Sequence, residues 1–224
     1  MKKNNLILTI LFLTTILFST FGYAQTVTIG SQVWTSKNLN VSTYRNGDII
    51  PQVQDPKAWA KLTTGAWCYY DNDPSNEAKY GKLFNWYAVN DPRGLAPMVY
   101  HIPTYEEWNT LADYLGGEAL AGGKMKSTSG WADNGNGTNS SGFSGLPGGI
   151  RFEDGTFEFE DDGKYKVGNA GSWWSSGYPF SASYDEGLTW ISGASSFNIL
   201  YRGVRFFRND VVSKRGLSVR CLRD

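Results

Sequence analysis

The sequence predicts an α+β domain, with loop-rich antiparallel β-sheets and one or two short helices. Three observations lead there. One short helix is sharply specified near residues 104 to 115. Pro103 biases Ile102 toward an extended backbone, and Thr104 and Glu107 stand at capping-box spacing. Trp108, Leu111, Ala112 and Leu115 then form one apolar stripe at helical period, which Gly116-Gly117 stops. Second, short strand-like runs separated by turn residues fill much of the remaining chain. Third, the composition is aromatic (15%) and glycine-rich (26 glycines) but only 19% charged, a mixture suited to a compact, loop-rich extracellular fold.

Taken in order, residues 1 to 24 read as a signal peptide. Lys2-Lys3 form the basic start, Leu6 to Phe18 the apolar run, and Gly22 and Ala24 the small residues before cleavage. The apolar run is shorter than the roughly 20 residues of a spanning helix, so the mature protein carries no expected membrane span. Residues 25 to 224 suit one domain with a sizeable core. Removing Lys2 and Lys3 from 21 basic residues leaves 19 against 21 acidic ones, a net charge of −2. That balance gives no electrostatic reason to expect nucleic acid as a partner.

Val27 to Ile29 and Gln32 to Trp34 flank Gly30-Ser31 and read as a hairpin with a two-residue turn. Asn46-Gly47 marks another turn, and residues 71 to 79 a polar loop. Gly81 to Val89 reads as a short helix, because Phe84, Tyr87 and Ala88 share a face. Gly122 to Ser141 reads as irregular surface. Asp154-Gly155 predicts a hairpin between residues 150–152 and 156–159. Residues 173–175, 188–191, 204–206 and 217–222 complete the β set.

The run Ile102-Pro103-Thr104 followed by Glu107-Trp108 resembles the helix start of the formylglycine-generating-enzyme-like group, a branch of the C-type-lectin-like fold. A closer resemblance spans nearly the whole mature chain. It rests on Ile29 to Trp34, Asn38-Leu39-Asn40, Trp67 to Asp73, Tyr80 to Val89, Gly142 to Gly149, Trp173 to Ser176 and Ser218 to Asp224. Together these resemble the Fibrobacter succinogenes major paralogous domain, common in secreted proteins of Bacteroidetes-type bacteria. The resemblance implies a single domain over 25–224, C-type-lectin-like architecture and an exported location, but no settled activity. It also implies that ligand-contacting loops lie before the last strand, at residues 177 to 212.

The inventory for catalysis is thin. Formylglycine-generating enzymes use paired cysteines in a motif that Cys68 and Cys221 do not share, and another branch of the fold binds iron through several histidines. This chain has one histidine, so a three-imidazole site is excluded. His101 could serve as a base, but no Gly-x-Ser-x-Gly elbow accompanies it, and a structural histidine is the plainer reading. Acidic clusters at residues 71–73, 153–154, 158–162 and 185–186 could in principle supply a hydrolase's two carboxylates. No cofactor is expected. Calcium is the one ion left open, with Asp71, Asp73 and Asp133 as candidate ligands, against the simpler reading that these are Asx turns. Cys68 and Cys221 are expected to form one disulfide in an exported chain; two buried free thiols are the alternative.

The inventory for contact is richer. Tyr178, Tyr184, Phe197 and Tyr201 sit among Ser, Gly, Pro and Asn and are the candidate ligand-binding rings. The sequence therefore points to a secreted, non-enzymatic binding module of the periplasm, envelope or surface, recognising a protein or glycan. A structural subunit of a surface assembly and a hydrolase are the alternatives.

Overall fold

The computed structural model describes residues 25–157, 163–177, 180–183 and 190–224. In chain order the strands are β1 (Thr26–Ile29), β2 (Gln32–Thr35), β3 (Trp67–Cys68), β4 (Leu83–Phe84), β5 (Tyr100–His101) and β6 (Ala170–Trp174). They continue with β7 (Phe180–Ser183), β8 (Trp190–Leu200), β9 (Phe206–Val212) and β10 (Leu222–Arg223). The helices are α1 (Pro56–Ala60), α2 (Glu77–Tyr80), α3 (Trp86–Val89), α4 (Tyr105–Tyr114) and α5 (Glu118–Met125). This is a loop-rich α+β fold of antiparallel sheets and short helices.

The expected first hairpin is present, with Ile29 paired to Gln32 and Thr26 to Thr35. It joins β10 and β5 in one sheet of order β1-β2-β10-β5. The largest sheet is built on β8, which pairs with β6 and β7 along one edge and with β9 along the other. Because side chains alternate along a strand, this sheet divides the interior. Trp173, Phe197, Ile199 and Phe206 enter one apolar cluster with Trp34, Trp108, Leu111 and Phe143. Trp174, Ala194 and Val211 enter the other, with Phe84, Trp86, Ile150, Leu217 and Val219.

Helix α4 carries the capping box that its sequence predicts. The Glu107 amide donates to Thr104 Oγ1 at 3.2 Å, and the Thr104 amide donates to Glu107 Oε2 at 2.8 Å. Trp108 is fully buried. Its ring lies 4.6 Å from Trp34, 5.5 Å from Phe197 and 5.6 Å from Phe206, centroid to centroid. Its indole nitrogen donates to the Trp174 carbonyl at 3.4 Å.

Four expectations are corrected. Residues 81 to 89 form β4 and then α3, not one helix. Gly81 has φ 72° and ψ −152°, closed to other residues, and a Cβ there would stand 2.9 Å from the Leu39 carbonyl oxygen. Asn85 then caps α3, accepting from the Ala88 amide at 3.1 Å. The segment from Gly122 is not irregular from its start, because α5 runs to Met125. Gly122 suits that helix because a Cβ would meet the Val204 carbonyl oxygen at 2.7 Å, so α5 packs directly on the chain leading into β9. At Asp154-Gly155 the turn forms, with Phe152 N–H donating to the Thr156 carbonyl at 2.8 Å, but residues 150–152 are not a strand and Arg151 bridges to Gly216 instead; residues 158–159 of the expected second arm lie outside the described residues. Finally, Cys68 and Cys221 are not bonded. Cys68 lies in a small cluster with Trp59, Ala66, Tyr70 and Leu83, whereas Cys221 lies in the cluster around Phe84 and Trp174. Burial pushes both thiols up to about 12, so neither forms a thiolate readily.

Candidate functional site

Two arrangements of polar groups stand out from the packed interior. The first surrounds His101. Strand β5 presents the imidazole between the start of α4 and the end of β10. Its Nε2 lies 2.8 Å from Glu107 Oε1 and its Nδ1 2.7 Å from Asp224 Oδ1. Two carboxylates facing two ring nitrogens require both nitrogens to donate, so the ring is an imidazolium in this geometry. Partial burial pulls its pKa down, but the hydrogen bonds to Asp224 and Glu107 and their charges outweigh that and hold it above the usual value. A general base needs a ring nitrogen with a free lone pair; here each nitrogen is taken by an anion. Glu107 therefore has two duties, one oxygen closing the helix cap and the other holding His101. An open cavity of about 390 Å³ adjoins this cluster, lined by Gln32, Glu107, Thr110, Arg223 and Asp224 among others.

The second arrangement is built on buried cations held by neutral oxygens. Lys126 is almost wholly enclosed. Its ammonium donates to the carbonyls of Gly135 at 2.9 Å, Tyr201 at 3.0 Å and Gly203 at 2.8 Å, and lies 4.7 Å from the Trp131 ring. Burial pulls its pKa down to about 8. The charge itself is thus a cost, and what stabilises is the set of donors. Arg220 donates to Asn38 Oδ1 at 2.7 Å and to the carbonyls of Thr35, Phe143 and Ser144. Arg151 donates to the carbonyls of Gly155, Val53 and Gln54 and stacks on Trp59 and Phe157. Arg151 and Arg220 tie core segments to each other. Lys126 instead ties two surface loops, 132–139 and 201–205.

Those loops bring together two groups of candidate residues that are far apart in sequence. Tyr201 is half-buried against the Trp108 cluster, with the Arg202 guanidinium 4.9 Å from its ring centroid. Arg202 reaches across to Asp133, with Nη2 3.5 Å from Oδ2. Asp133 and Asn134 take the left-handed conformation, at φ 48° and 58°, and Asn139 repeats it at φ 50°. The Gly135 amide closes this turn on the Ala132 carbonyl, and Asn136 Oδ1 accepts from the Trp131 amide at 3.0 Å. The result is a fixed surface of one aromatic ring, one guanidinium and several side-chain amides and hydroxyls.

The other candidates fall elsewhere. Phe197 is a correction: it is fully buried on β8, stacked at 5.1 Å on Phe206, because its position faces the inner side of the sheet. Tyr178 and Tyr184 lie outside the described residues. Asp73 uses both carboxylate oxygens on Ser75, from its amide at 2.9 Å and its hydroxyl at 2.7 Å. Asp71 is exposed, with φ 56°. Among the described residues no three His, Cys, Asp or Glu side chains form a group that could hold a metal, and no helix is long and apolar enough to cross a membrane. Lys126, Arg151 and Arg220 were not singled out by sequence reasoning. The only signal was a cation inside an otherwise apolar run, as at Leu217 to Leu222 for Arg220.

No curated protein matches the chain, and no solved structure does. The family model described as the Fibrobacter succinogenes major domain matches residues 27–223. With that match covering nearly all of residues 25 to 224, the chain belongs to the Fibrobacter succinogenes major domain family.

Proposed function

We propose that this protein is an exported, non-enzymatic binding module that recognises a protein or glycan of the cell envelope or surface. Its ligand face is the surface formed by loops 132–139 and 201–205. One observation carries the reading: a buried ammonium holds three carbonyls from two loops, and those loops present Tyr201, Arg202 and Asp133 together. A loop pair fixed before contact loses little entropy on binding. Tyr supplies broad contact at small entropy cost, and Asn and Ser supply adaptable hydrogen bonds.

His101, with both nitrogens engaged by carboxylates, also favours binding over catalysis. Among the acidic clusters, Glu153 is paired with Arg215 at 2.8 Å, and Asp154 accepts from Thr156. Export would rest on the signal peptide at residues 1–24, which lies outside the described residues. We also read the architecture as C-type-lectin-like, which would place ligand contacts on the loops before the last strand, where Tyr201 lies.

The test is retention on envelope fractions. Replacing Tyr201 and Arg202 together by Ala should abolish retention while the circular dichroism spectrum stays unchanged. Retention by a folded double variant moves the ligand face elsewhere.

A further inference from the structure

The open cavity of about 390 Å³ beside His101 lies where the β1–β2 turn, α4 and the end of β10 meet. Its size is within the range of small-ligand pockets, about 300–1,000 Å³. Val33 and Leu222 supply the apolar part of its lining. The polar part divides into spent and unspent groups. Glu107 is spent, with one oxygen on His101 and the other on the Thr104 amide. Gln32 Nε2 donates to the Glu107 carbonyl at 2.9 Å and Gln32 Oε1 accepts from the Trp34 indole at 3.3 Å. That fixes the amide and leaves its second N–H. Thr110 Oγ1 donates to the Glu106 carbonyl at 2.9 Å and keeps its lone pairs. Asp224 Oδ1 holds His101, while among the described residues nothing bonds Asp224 Oδ2 or Ser31 Oγ.

An aromatic ring stands at the edge of this cavity. Tyr114 is 66% exposed. It follows Thr110 by four residues, so the two share a side of α4. Its ring rests on the β1–β2 turn, next to Ser31. Gly30 there has φ 61°, and a Cβ on it would stand 2.9 Å from Tyr114 Cδ2. The turn supports one side of the ring, and the rest faces solvent.

We propose that this cavity is a saccharide site that takes one neutral pyranose unit of a glycan. Each sugar hydroxyl both donates and accepts. The unspent groups answer in both senses: Gln32 donates, Asp224 Oδ2 and Thr110 accept, and Ser31 does either. The C–H face of a pyranose is apolar and packs on an aromatic ring whose polar end stays wet, as Tyr114 can provide. The side-chain charges at the cavity cancel, Glu107 and Asp224 against the His101 imidazolium and Arg223. A charged ligand therefore finds no net attraction there, whereas a neutral polyol needs none. A few fixed polar groups beside an apolar wall is the usual build of a small-ligand pocket. The site shares no residue with loops 132–139 and 201–205, and it does not rest on the ligand face proposed above.

Amide NMR titration of the exported protein tests it. The probes are the methyl glycosides of glucose, galactose, mannose and N-acetylglucosamine, with glucuronate as the charged comparison and glycerol as the control for an unselective hydroxyl pocket. The expected result is saturable shifts at Ser31, Gln32, Thr110 and Asp224 with at least one neutral glycoside, at a Kd on the order of 1 mM. Tyr114→Ala should weaken binding by about tenfold or more, as for an aromatic anchor. Thr110→Arg, at an exposed helix position, should abolish it by filling the cavity. Circular dichroism checks that both variants are folded. No saturable shift with any glycoside overturns the proposal, as does binding indifferent to both variants in folded protein or an equal response to glycerol. Glucuronate bound more tightly than every neutral glycoside overturns the choice of a neutral sugar. The variant with Tyr201 and Arg202 replaced by Ala should bind the glycoside as the parent does; loss there overturns the placement. Envelope retention that needs Tyr201, without glycoside binding, overturns the saccharide site alone. Glycoside binding with retention indifferent to Tyr201 overturns the loop face alone.

Discussion

Replacing Lys126 by Met keeps the bulk of the stem and removes three donors at once. The carbonyls of Gly135, Tyr201 and Gly203, now held at 2.8 to 3.0 Å, would lose their common partner. A buried acceptor left without a donor costs about 1–3 kcal/mol. The three losses are not additive, because freed loops can turn a carbonyl toward water. Burial already holds the ammonium near 8, so removing the charge returns part of the cost. A net destabilisation of about 2–4 kcal/mol follows, read by urea denaturation. The more specific readout is hydrogen exchange. Amide protons of Gly135, Gly137 and Tyr201 are bonded to Ala132, Ser127 and Asn169 and should exchange faster in the variant. Amides of α4 should not change. An equally stable variant, or one whose exchange rises evenly along the chain, refutes the idea that Lys126 organises these two loops.

The remaining predictions concern the frame around that surface. Trp108→Ala should cost about 3–5 kcal/mol, since the indole is enclosed by five aromatic neighbours; Thr104→Ala should cost about 1 kcal/mol through the lost cap. Near-wild-type melting of Trp108→Ala would contradict the described core. Thiol labelling of unreduced protein should find two free cysteines after denaturation and none before it, because Cys68 and Cys221 are buried and unbonded; labelling that needs a reductant would show a bridge. His101 is held above its ordinary pKa, so its contribution to stability is full below about pH 6.5, the unfolded value, and is lost as pH rises through the higher folded value. His101→Gln should flatten that part of the stability profile, and an unchanged profile would show that the two carboxylates do not stabilise the imidazolium.

What could be read from the sequence was mostly local. The capping box of α4, its apolar stripe and the β1–β2 hairpin depend on residues within a few positions of one another, and all three are present. The buried cations could not be read this way. Lys126 finds its acceptors 9, 75 and 77 residues away, and Arg220 finds its own 76 to 185 residues away. No local pattern announces such partners. Phe197 misled for a related reason. Its neighbours Ser195, Ser196 and Asn198 resemble a loop, yet they are buried on β8 with their polar atoms satisfied. Ser195 donates to Asp210, Ser196 to the Asn209 carbonyl, and Asn198 to Ser196. Residues 81 to 89 failed through a non-local pairing: Leu83 and Phe84 pair with Cys68 and Trp67, and a helix begins only after the Asn85 cap. The ligand face was visible only in halves, as Tyr201 and as the loop at Asp133, and Lys126 is what joins them.

The central claim, that loops 132–139 and 201–205 form the contact face, is tested most directly by photo-crosslinking in intact cells. A benzophenone amino acid would replace Tyr201 in one strain and Lys57, exposed on α1, in another. The account predicts a discrete crosslinked species from position 201 that is absent from position 57 and is lost when Lys126→Met is added. Equal crosslinking from both positions, or a discrete product from position 57 alone, would contradict it.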